Sequence, residues 1–319
     1  MAVPVRDVVR SVRLVCAALA GLAAYLLLGS HLVTVKDPRL VGVQAFSQVA
    51  LPLMVMALLL AVLPLGGLGR RVVALPLTLT LLVGVSLAGA HAAPRWVGAP
   101  ASGKVLRVMT ANLKLGDADA AEVLRTARTA DVDLLVLEEL TPQLLEGLAS
   151  LGLRTRFPYA VGVPAPGASG TMAFATRPLT DAQDLGTRHG SWSFHMDGLT
   201  IWAVHPAYPY DARWIDDQGR LADLAAASPP DIALGDFNAT LDNPPFREIL
   251  TRGGLRDAAE QAGSGWQPTW PTDGSKGLPF PLAAIDHVLV RVDVRAESTA
   301  AHVIHGTDHA ALVADLRLG

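Results

Sequence analysis

Leu234-Gly235-Asp236-Phe237-Asn238-Ala239-Thr240 sets a carboxylate and an amide directly after a short apolar run. Gly235 allows the chain to leave a strand sharply. If the backbone then stays extended, Asp236 and Asn238 project to one side, where together they can hold a water and a phosphoryl oxygen. Taken alone, the stretch could equally be an ordinary strand-end turn, in which Asp and Asn are common.

A second apolar run, Asp133-Leu134-Leu135-Val136-Leu137-Glu138-Glu139, ends in a pair of acids. Strand alternation makes Glu139 share a face with Leu137, while Glu138 faces the other way. A single acid at such a position is more often structural than functional unless it has a partner elsewhere in the chain.

Late in the sequence, Thr307-Asp308-His309 precedes the apolar stretch 310–313, and Asp286 lies at the start of another apolar run. A carboxylate that is bonded to an imidazole fixes its tautomer and raises its basicity. Asp286 is therefore a candidate partner for His309. The other histidines of this region, His287, His302 and His305, fit ordinary hydrogen-bonded surface or core groups, as does His189.

Two more polar residues close strand-like runs. Asn112 follows Met109-Thr110-Ala111, and His205 follows Trp202-Ala203-Val204. Taken alone, each could be an ordinary turn residue. The prediction of a functional site depends on all the polar strand ends together. Carboxylates suit a hard cation such as magnesium, an imidazole suits proton transfer, and rigid strands can aim both at one point.

The N-terminal third has a different character. Hydrophobic residues make up 51% of the chain, and three stretches without Asp, Glu, Lys or Arg, at about 14–35, 40–63 and 72–92, are each long enough for a bilayer-spanning helix of roughly 20 residues. Three such runs in succession argue against buried helices of a soluble core. A cleaved signal peptide competes for the first run.

Basic residues at the helix ends predict the orientation. Arg6, Arg10 and Arg13 precede the first run, and Arg70-Arg71 separate the second from the third. Three crossings from a cytoplasmic N-terminus predict a multi-pass protein of the cell membrane with its C-terminal part outside the cytoplasm. We thus expect a membrane anchor at 1–94, an Ala/Gly/Pro-rich linker at 95–103 and a catalytic domain at 104–319.

The charge of the C-terminal part restricts its partners. From Arg95 onward there are 19 basic and 27 acidic residues, a net charge of −8. Such a domain lacks the broad basic surface that non-specific duplex binding uses. A local strip could be supplied by scattered arginines, which are otherwise a solvated surface: Arg154, Arg156, Arg177, Arg188 and Arg213. Cys16, the single cysteine, falls in the first apolar run, so no disulfide is expected in the domain.

Strand patterns recur at irregular spacing, with helical patterns between only some of them. Strands are predicted at 105–110, 134–137, 171–175, 199–204, 231–234, 287–292 and 310–316, and helices at 118–130, 211–227 and 245–253. This mixture predicts an α/β domain of stacked sheets with helices outside, not a strict alternation of strand and helix.

In this order, the polar strand ends resemble the endonuclease/exonuclease/phosphatase superfamily, the deoxyribonuclease I-like fold. The pattern is an Asn after the first strand, an acid ending an apolar strand, a strand-end His, Gly-Asp-x-Asn, an Asp opening a strand, and a late Ser-Asp-His. The residues that match it are Asn112, Glu139, His205, Asp236 with Asn238, Asp286, and Asp308 with His309. Glu138 replaces the more usual Gln and Thr307 the usual Ser, and His287 stands where an aromatic residue is common.

The resemblance implies a four-layer α/β sandwich, two packed mixed β-sheets flanked by helices, preceded here by three transmembrane helices. It implies that Glu139, helped by Asn112 and Asp308, holds Mg²⁺ or Mn²⁺. Asp236 would orient or deprotonate a water, Asn238 would fix the phosphoryl group, and His205 would bind phosphate or assist the leaving group. His309, held by Asp286, would stabilise developing charge or share the role of the base.

The substrate stays open, because members of this superfamily hydrolyse nucleic acids, inositol phosphates and sphingomyelin-type lipids. A nuclease-like phosphoesterase is the commonest implication, and a phosphodiesterase acting on phospholipids or envelope precursors is the alternative. Trp266 and Trp270 would line the substrate, insert at a bilayer surface or pack in the core. No obligate protein partner is implied, and a catalytically inactive binding module is disfavoured because every acidic and imidazole position of the pattern is present.

Overall fold

A computed structural model describes residues 5–62, 68–275, 277 and 280–319 of the 319-residue chain. The chain divides into two compact units, Met1–Pro94 and Arg95–Gly319. After the expectation from the sequence, we label them the membrane unit and the catalytic unit.

The membrane unit is helical. Its helices are α1 (Val5–Ser30), α2 (Pro38–Gln44), α3 (Ala50–Val62) and α4 (Leu68–Ala92). Two helical stretches are long and apolar enough to cross a membrane, which suggests membrane association. They are α1 and the stretch Val72–Trp96, which contains most of α4 and the helical turn after it. The middle predicted span consists of two helical segments, Pro38–Gln44 and Ser47–Val62, that bend by 45° at the break between them. The described helices therefore give two candidate spans, or up to three if this bent pair counts as one. Residue 63, at the end of that predicted span, lies outside the described residues.

Small residues hold the described helices of the membrane unit together. Gly21 of α1 lies so close to Leu81 that an added Cβ would come within 2.5 Å of the leucine side chain, and Gly84 approaches Met54 in the same way. Ala17 and Ala57 are fully buried. Small side chains allow helix backbones to approach closely, which is how helices associate where no hydrophobic effect drives them together.

The catalytic unit contains two six-stranded sheets. Its strands are β1 (Lys104–Asn112), β2 (Leu134–Glu138), β3 (Tyr159–Val163), β4 (Thr171–Ala175), β5 (Thr180–Asp184), β6 (Trp192–Met196), β7 (Leu199–Val204), β8 (Ile232–Asp236), β9 (Arg256–Asp257), β10 (Asp286–Val290), β11 (Val294–Val303) and β12 (Ala310–Leu318). The first sheet has the order β11-β12-β1-β2-β4-β3, and the second has the order β5-β6-β7-β8-β10-β9.

Both sheets are mixed, because each contains one parallel pair, β1 with β2 and β7 with β8, among antiparallel neighbours. The helices of the unit are α5 (Ala120–Thr129), α6 (Pro142–Ser150), α7 (Leu153–Arg156), α8 (Trp214–Ala227), α9 (Pro244–Gly253) and α10 (Ala258–Ala262). The expected architecture of two mixed sheets flanked by helices is confirmed.

Alternation along the strands builds two cores. Leu106 and Val108 of β1 face the second sheet and pack with Leu234 of β8 in the core between the sheets. Met109 and Ala111, on the opposite face of β1, pack beneath α5 in an outer core. Since successive strand residues point to opposite faces, both faces of this central strand are buried, which explains its near-continuous apolar sequence.

Sequence patterns located the buried strands well. The prediction at 171–175 coincides with β4 and that at 199–204 with β7, and the three predicted helices correspond to α5, α8 and α9. Strands β3, β5, β6, β9 and β11 and helices α6, α7 and α10 were not predicted. β5, Thr180-Asp181-Ala182-Gln183-Asp184, is exposed along its whole length at a sheet edge, so it carries no apolar alternation to detect.

The Ala/Gly/Pro-rich stretch after α4 is docked onto the catalytic unit over its first residues. Arg95 is 5% exposed. Its guanidinium lies 3.5 Å from the carboxylate of Asp242 and 3.7 Å from that of Glu260. Its carbonyl accepts a hydrogen bond from the amide of Gly265 at 2.7 Å. Residues that composition alone marked as a linker therefore form part of the fold.

We expect Arg95→Ala to lower the free energy of unfolding of the catalytic unit by about 3 kcal/mol, because it removes a buried cation that lies 3.5 Å from the fully buried carboxylate of Asp242. Urea unfolding followed by tryptophan fluorescence measures this directly, since all 6 tryptophans lie at position 96 or later.

Arg252→Ala is the matched control, because Arg252 pairs with Asp223 at the surface, where the side chains are 41% and 72% exposed. It should cost about 0.5 kcal/mol. Equal effects of the two substitutions would contradict a structural role for Arg95.

Candidate active site

The polar strand ends gather at one edge of the two sheets. The parallel strands β1, β2, β7 and β8 all bring their carboxyl ends to this edge, and the antiparallel strands β10 and β12 begin there. Asn112 is paired with Glu138 in the first sheet, and Asp236 is paired with Asp286 in the second. Side chains that are up to about 200 positions apart in sequence therefore meet on rigid strands.

Asp236 is the centre of this cluster and is 1% exposed. Its Oδ2 accepts a hydrogen bond from Asn112 Nδ2 at 3.0 Å, and its Oδ1 accepts one from the amide of Asn238 at 2.8 Å. Nε2 of His205 and Nε2 of His309 each lie 3.8 Å from the same Oδ2. One carboxylate thus touches groups from four different strand ends.

His309 is oriented by Asp286, as their order in the sequence predicted. Nδ1 of His309 lies 2.9 Å from Oδ2 of Asp286, so that Nε2 is turned toward Asp236. Thr307 fixes the chain just before β12. Its hydroxyl accepts a hydrogen bond from the amide of His309 and donates one to the carbonyl of Asn112. Thr307 therefore makes, with its hydroxyl, contacts that the more usual serine could also make.

Glu139 reaches the cluster through a backbone turn that alternation does not describe. Its φ of +55° is left-handed, a conformation that a residue other than glycine rarely adopts. Its Oε1 accepts from Asn112 Nδ2 at 3.1 Å and its Oε2 from the amide of Leu115 at 2.7 Å. Glu138 points the other way, is fully buried and accepts a hydrogen bond from Thr110 at 2.6 Å.

A left-handed turn supplies two of the amides that hold the cluster. Lys114 and Leu115 have φ values of +45° and +56°. The amide of Lys114 donates to Asn112 Oδ1 at 2.9 Å, and that of Leu115 to Glu139. Non-glycine residues in this region cost about 1–3 kcal/mol each and are concentrated at functional sites. Nothing in the residue types of Lys114 and Leu115 marks this turn, so it could not be recognised from sequence.

Asn238 and Gly235 flank Asp236 on the chain. Asn238 has a φ of +51°, and its Nδ2 donates to the carbonyl of Pro206 at 3.2 Å. A Cβ on Gly235, whose φ is +148°, would lie 2.0 Å from the carbonyl oxygen of Val204. Only glycine fits between β7 and β8 at this point, so Gly235 sets the register that brings His205 to Asp236.

Asp308 is arranged differently from the other predicted ligands. Its Oδ2 accepts a hydrogen bond from the indole of Trp270 at 3.0 Å, and its carbonyl accepts from the amide of Thr272 at 2.9 Å. Within the described part of the chain, the Asp308 carboxylate has no direct contact with Glu139 or Asn112. For Trp270 the sequence left substrate contact, insertion at a bilayer surface and core packing open, and the structure places its indole against a predicted ligand.

Burial and mutual charge shift the pKa values of the cluster strongly. Burial raises the pKa of Asp236, and the nearby carboxylate of Asp286 adds to this against the opposing charge of His309, giving about 7. Burial lowers the pKa of His309, but the carboxylates of Asp286 and Asp236 outweigh this effect and raise the pKa to about 10. Burial holds the pKa of His205 well below its usual range. These shifts favour the neutral form of His205 and the cationic form of His309.

His189 belongs to the site's surroundings, although the sequence gave no reason to single it out. Its ring is tilted by 34° against that of His205, with the centroids 4.9 Å apart, and is stacked with the ring of Tyr208 at 6.2 Å. The remaining histidines behave as ordinary polar groups. His287 bridges Asp257 and a backbone carbonyl, and His305 bonds Glu122 outside the cluster.

The scattered arginines do not form a strip of free cations. Arg156 pairs with Asp131 at 2.6 Å, Arg188 with Asp211 at 3.4 Å, and Arg177 with Asp197. The other two, Arg154 and Arg213, have no ion pair among the described residues, and the guanidinium of Arg154 lies over the ring of Phe174. Neighbouring aspartates therefore neutralise most of the candidate basic surface.

The donor atoms of this edge suit a divalent metal ion. Asp236, Asp286 and His309 each offer a ligand atom, and these atoms lie within 4.8 Å of one another. Glu139 and Asn112 adjoin the same point from the first sheet. Oδ1 of Asp286 is buried and has no hydrogen-bond partner among the described residues. A buried cluster of carboxylates, whose like charges raise the pKa of Asp236, is the kind of site that a hard cation stabilises.

The sequence profile of the Endonuclease/Exonuclease/phosphatase family matches residues 109–309, a range that contains all eight predicted site residues. Comparison with curated protein sequences gives no match.

Among solved structures, the chain is similar to an endonuclease/exonuclease/phosphatase from Bacteroides vulgatus (16% identity, 68% of this chain and 100% of that chain, TM-score 0.54). It is similar to an AP endonuclease from Archaeoglobus fulgidus (14% identity, 66% and 98%, TM-score 0.54). It is also similar to a mannosyl-6-phosphatase from Bacteroides thetaiotaomicron (14% identity, 66% and 99%, TM-score 0.51). Identities this low show a common fold.

The cationic state of His309 can be tested by titration. We expect Asp286→Asn to lower the pKa of His309 from about 10 toward its usual range, because the substitution removes a negative charge that stabilises the imidazolium. Side-chain ¹⁵N NMR of the chelator-treated protein measures the change.

Asp257→Asn is the matched control for this titration, since Asp257 contacts His287 at 2.8 Å and has no described contact with His309. It should lower the pKa of His287 and leave that of His309 in place. An unchanged His309 titration in Asp286→Asn would refute the assigned pairing.

Proposed function

This chain belongs to the Endonuclease/Exonuclease/phosphatase family, and from that premise we propose that it is a membrane-anchored phosphoesterase that depends on a divalent metal ion. As a family member it is a hydrolase that acts on phosphoric esters. The observation that carries the proposal is the buried carboxylate of Asp236, which lies 3.0 Å from Asn112 and 3.8 Å from each of two imidazoles.

We assign Mg²⁺ or Mn²⁺ to Glu139, Asn112 and Asp308. The oxygen donors of Glu139 and Asn112 beside Asp236 support this assignment, and hard cations prefer such ligands. His309 is assigned to charge stabilisation, because its Nδ1 contacts Asp286 and its Nε2 is turned toward Asp236. When bound, the ion supplies neutralisation of charge on the non-bridging phosphoryl oxygens.

The acid–base work is assigned to Asp236 and His309. Asp236, with a pKa raised to about 7, can take a proton from a water near neutral pH, which is the range in which a general base works best. His309, held by Asp286, carries positive charge that stabilises negative charge as it develops on the phosphoryl group. Asn238 would fix a phosphoryl oxygen through its amide.

His205 is assigned to the phosphate or to the leaving group. Burial keeps its ring neutral, so it can donate one hydrogen bond without repelling the imidazolium of His309. Its Nε2 lies 4.0 Å from Glu139 and 3.8 Å from Asp236, within the same cluster.

We also propose that the catalytic unit lies outside the cytoplasm. The basic residues Arg6, Arg10 and Arg13 before α1 support a cytoplasmic N-terminus, and an odd number of crossings would put the rest of the chain on the other side. The candidate substrates are phosphoesters of two classes. One is nucleic acid, and the other is lipid or sugar phosphates.

We expect Asp236→Asn and His309→Ala each to reduce turnover of bis(4-nitrophenyl) phosphate by about 10²- to 10⁴-fold, the cost typical of losing a general acid–base group. Activity should require Mg²⁺ or Mn²⁺ and disappear with chelator. Steady-state rates of the purified full-length protein provide the measurement.

His195→Ala serves as the control, because the His195 side chain is 45% exposed and its residue pairs with Thr200, toward the end of β7 opposite His205. It should retain full activity. Tryptophan fluorescence must show that the two inactive variants remain folded, and full turnover in both of them would eliminate the assignment.

A further inference from the structure

Residues 269–273, which we call the bracket, tie together strand ends of the candidate active site. The hydroxyl of Thr269 accepts a hydrogen bond from the amide of Asp286 at 3.3 Å, and its carbonyl accepts one from the amide of Ala310 at 2.8 Å. The bracket therefore holds the start of β10 beside the start of β12, where Asp286 meets His309.

The far end of the bracket reaches the first sheet. Oδ2 of Asp273 lies 2.7 Å from Nζ of Lys114, whose own amide bonds the side chain of Asn112. The carbonyl of Asn112 in turn accepts a hydrogen bond from the hydroxyl of Thr307 at 2.8 Å. Asp308, the next residue, therefore leaves a backbone that is fixed on both sides of the assigned metal site.

The indole of Trp270 fixes the side chain of Asp308. Its Nε1 donates to Oδ2 of Asp308 at 3.0 Å, and the amide of Thr272 donates to the Asp308 carbonyl at 2.9 Å. An indole N–H can only donate, so it keeps this role whatever the protonation of its surroundings. Among the described residues, no donor bonds the other carboxylate oxygen, Oδ1, which therefore remains for a cation.

The number of oxygens that a carboxylate can offer influences which hard cation a site prefers. Mg²⁺ requires near-ideal octahedral geometry, whereas Ca²⁺ accepts about six to eight oxygens in a flexible shell and binds carboxylates through one oxygen or both. The two oxygens of one carboxylate lie too close together to fill adjacent octahedral positions well. A carboxylate that is limited to one free oxygen therefore suits the smaller ion.

We infer, resting on the proposed function, that Trp270 is a positioning residue that sets the ion preference of the site. By holding Oδ2 of Asp308, its indole limits this carboxylate to one donor oxygen and so favours Mg²⁺ or Mn²⁺ over Ca²⁺. Packing alone would use the ring of Trp270 but not its N–H. The two roles are therefore separable by a change that removes only the donor.

The test compares two tryptophans of the same loop. Trp270→Phe removes the indole donor and keeps an aromatic ring. Trp266→Phe is the matched control, because Nε1 of Trp266 is buried without a hydrogen-bond partner among the described residues. Isothermal titration calorimetry of the chelator-treated full-length protein measures the affinities for Mn²⁺ and for Ca²⁺.

We expect Trp270→Phe to weaken Mn²⁺ binding by about 10- to 100-fold, the cost typical of losing a hydrogen bond to a metal ligand. Ca²⁺ binding should weaken much less, because Ca²⁺ can use both oxygens of Asp308 once Oδ2 is released. Trp266→Phe should change neither affinity. A loss of equal size for the two ions, or no loss for either, would overturn the inference.

A second replacement covers the case in which Trp270→Phe fails to fold. β-(3-Benzothienyl)alanine, incorporated at position 270, keeps the bicyclic ring and carries sulfur where the indole has its N–H. It should lower the ratio of Mn²⁺ to Ca²⁺ affinity in the same direction as the phenylalanine. A ratio equal to that of the wild-type protein would contradict the role of the N–H.

The same titrations separate this inference from the proposed function. If the wild-type protein binds neither ion, the proposed metal dependence is wrong and the role of Trp270 falls with it. If the wild-type protein binds Mn²⁺ and the replacements at position 270 leave the affinity ratio unchanged, only the role of Trp270 is wrong.

Discussion

The catalytic unit is organised around the burial of a single carboxylate. Asp236 is removed from water, so each of its oxygens must find a donor or an opposite charge inside the protein. Asn112 and the amide of Asn238 provide hydrogen bonds, and His309 provides charge. Because these groups come from both sheets, the carboxylate is satisfied only when the sheets pack with their site-bearing edges together. The requirements of folding and of chemistry therefore coincide at this point.

Buried elements were predictable from sequence because burial on both faces leaves a continuous apolar run. β4 and β7 are such strands, and their bounds followed from composition alone. β5 and β11 lie at sheet edges, where polar residues replace the pattern, and only their partners define them. The bend between α2 and α3 was also out of reach, since an apolar run has the same composition whether its helix is straight or broken.

The candidate site was predictable as a set of strand ends but not as a set of contacts. Order along the chain was enough to pair Asp286 with His309. Alternation alone could not explain how Glu139 joins Asn112, because a left-handed turn after β2 redirects its side chain. The bond between Trp270 and Asp308 joins positions 38 apart, and no local pattern encodes it. A single sequence therefore does not reveal the backbone conformation of individual residues or the contacts between side chains far apart in the chain.

The burial of Arg95 bears on how this protein can be processed. Its guanidinium lies beside the carboxylates of Asp242 and Glu260, yet Arg95 is only three residues after the end of α4. Proteolysis in the Ala/Gly/Pro-rich stretch at 100–103 would remove the covalent link between the arginine and the rest of the unit. A fragment that begins there lacks the cation beside Asp242 and Glu260, so it should be less stable than one that retains residue 95.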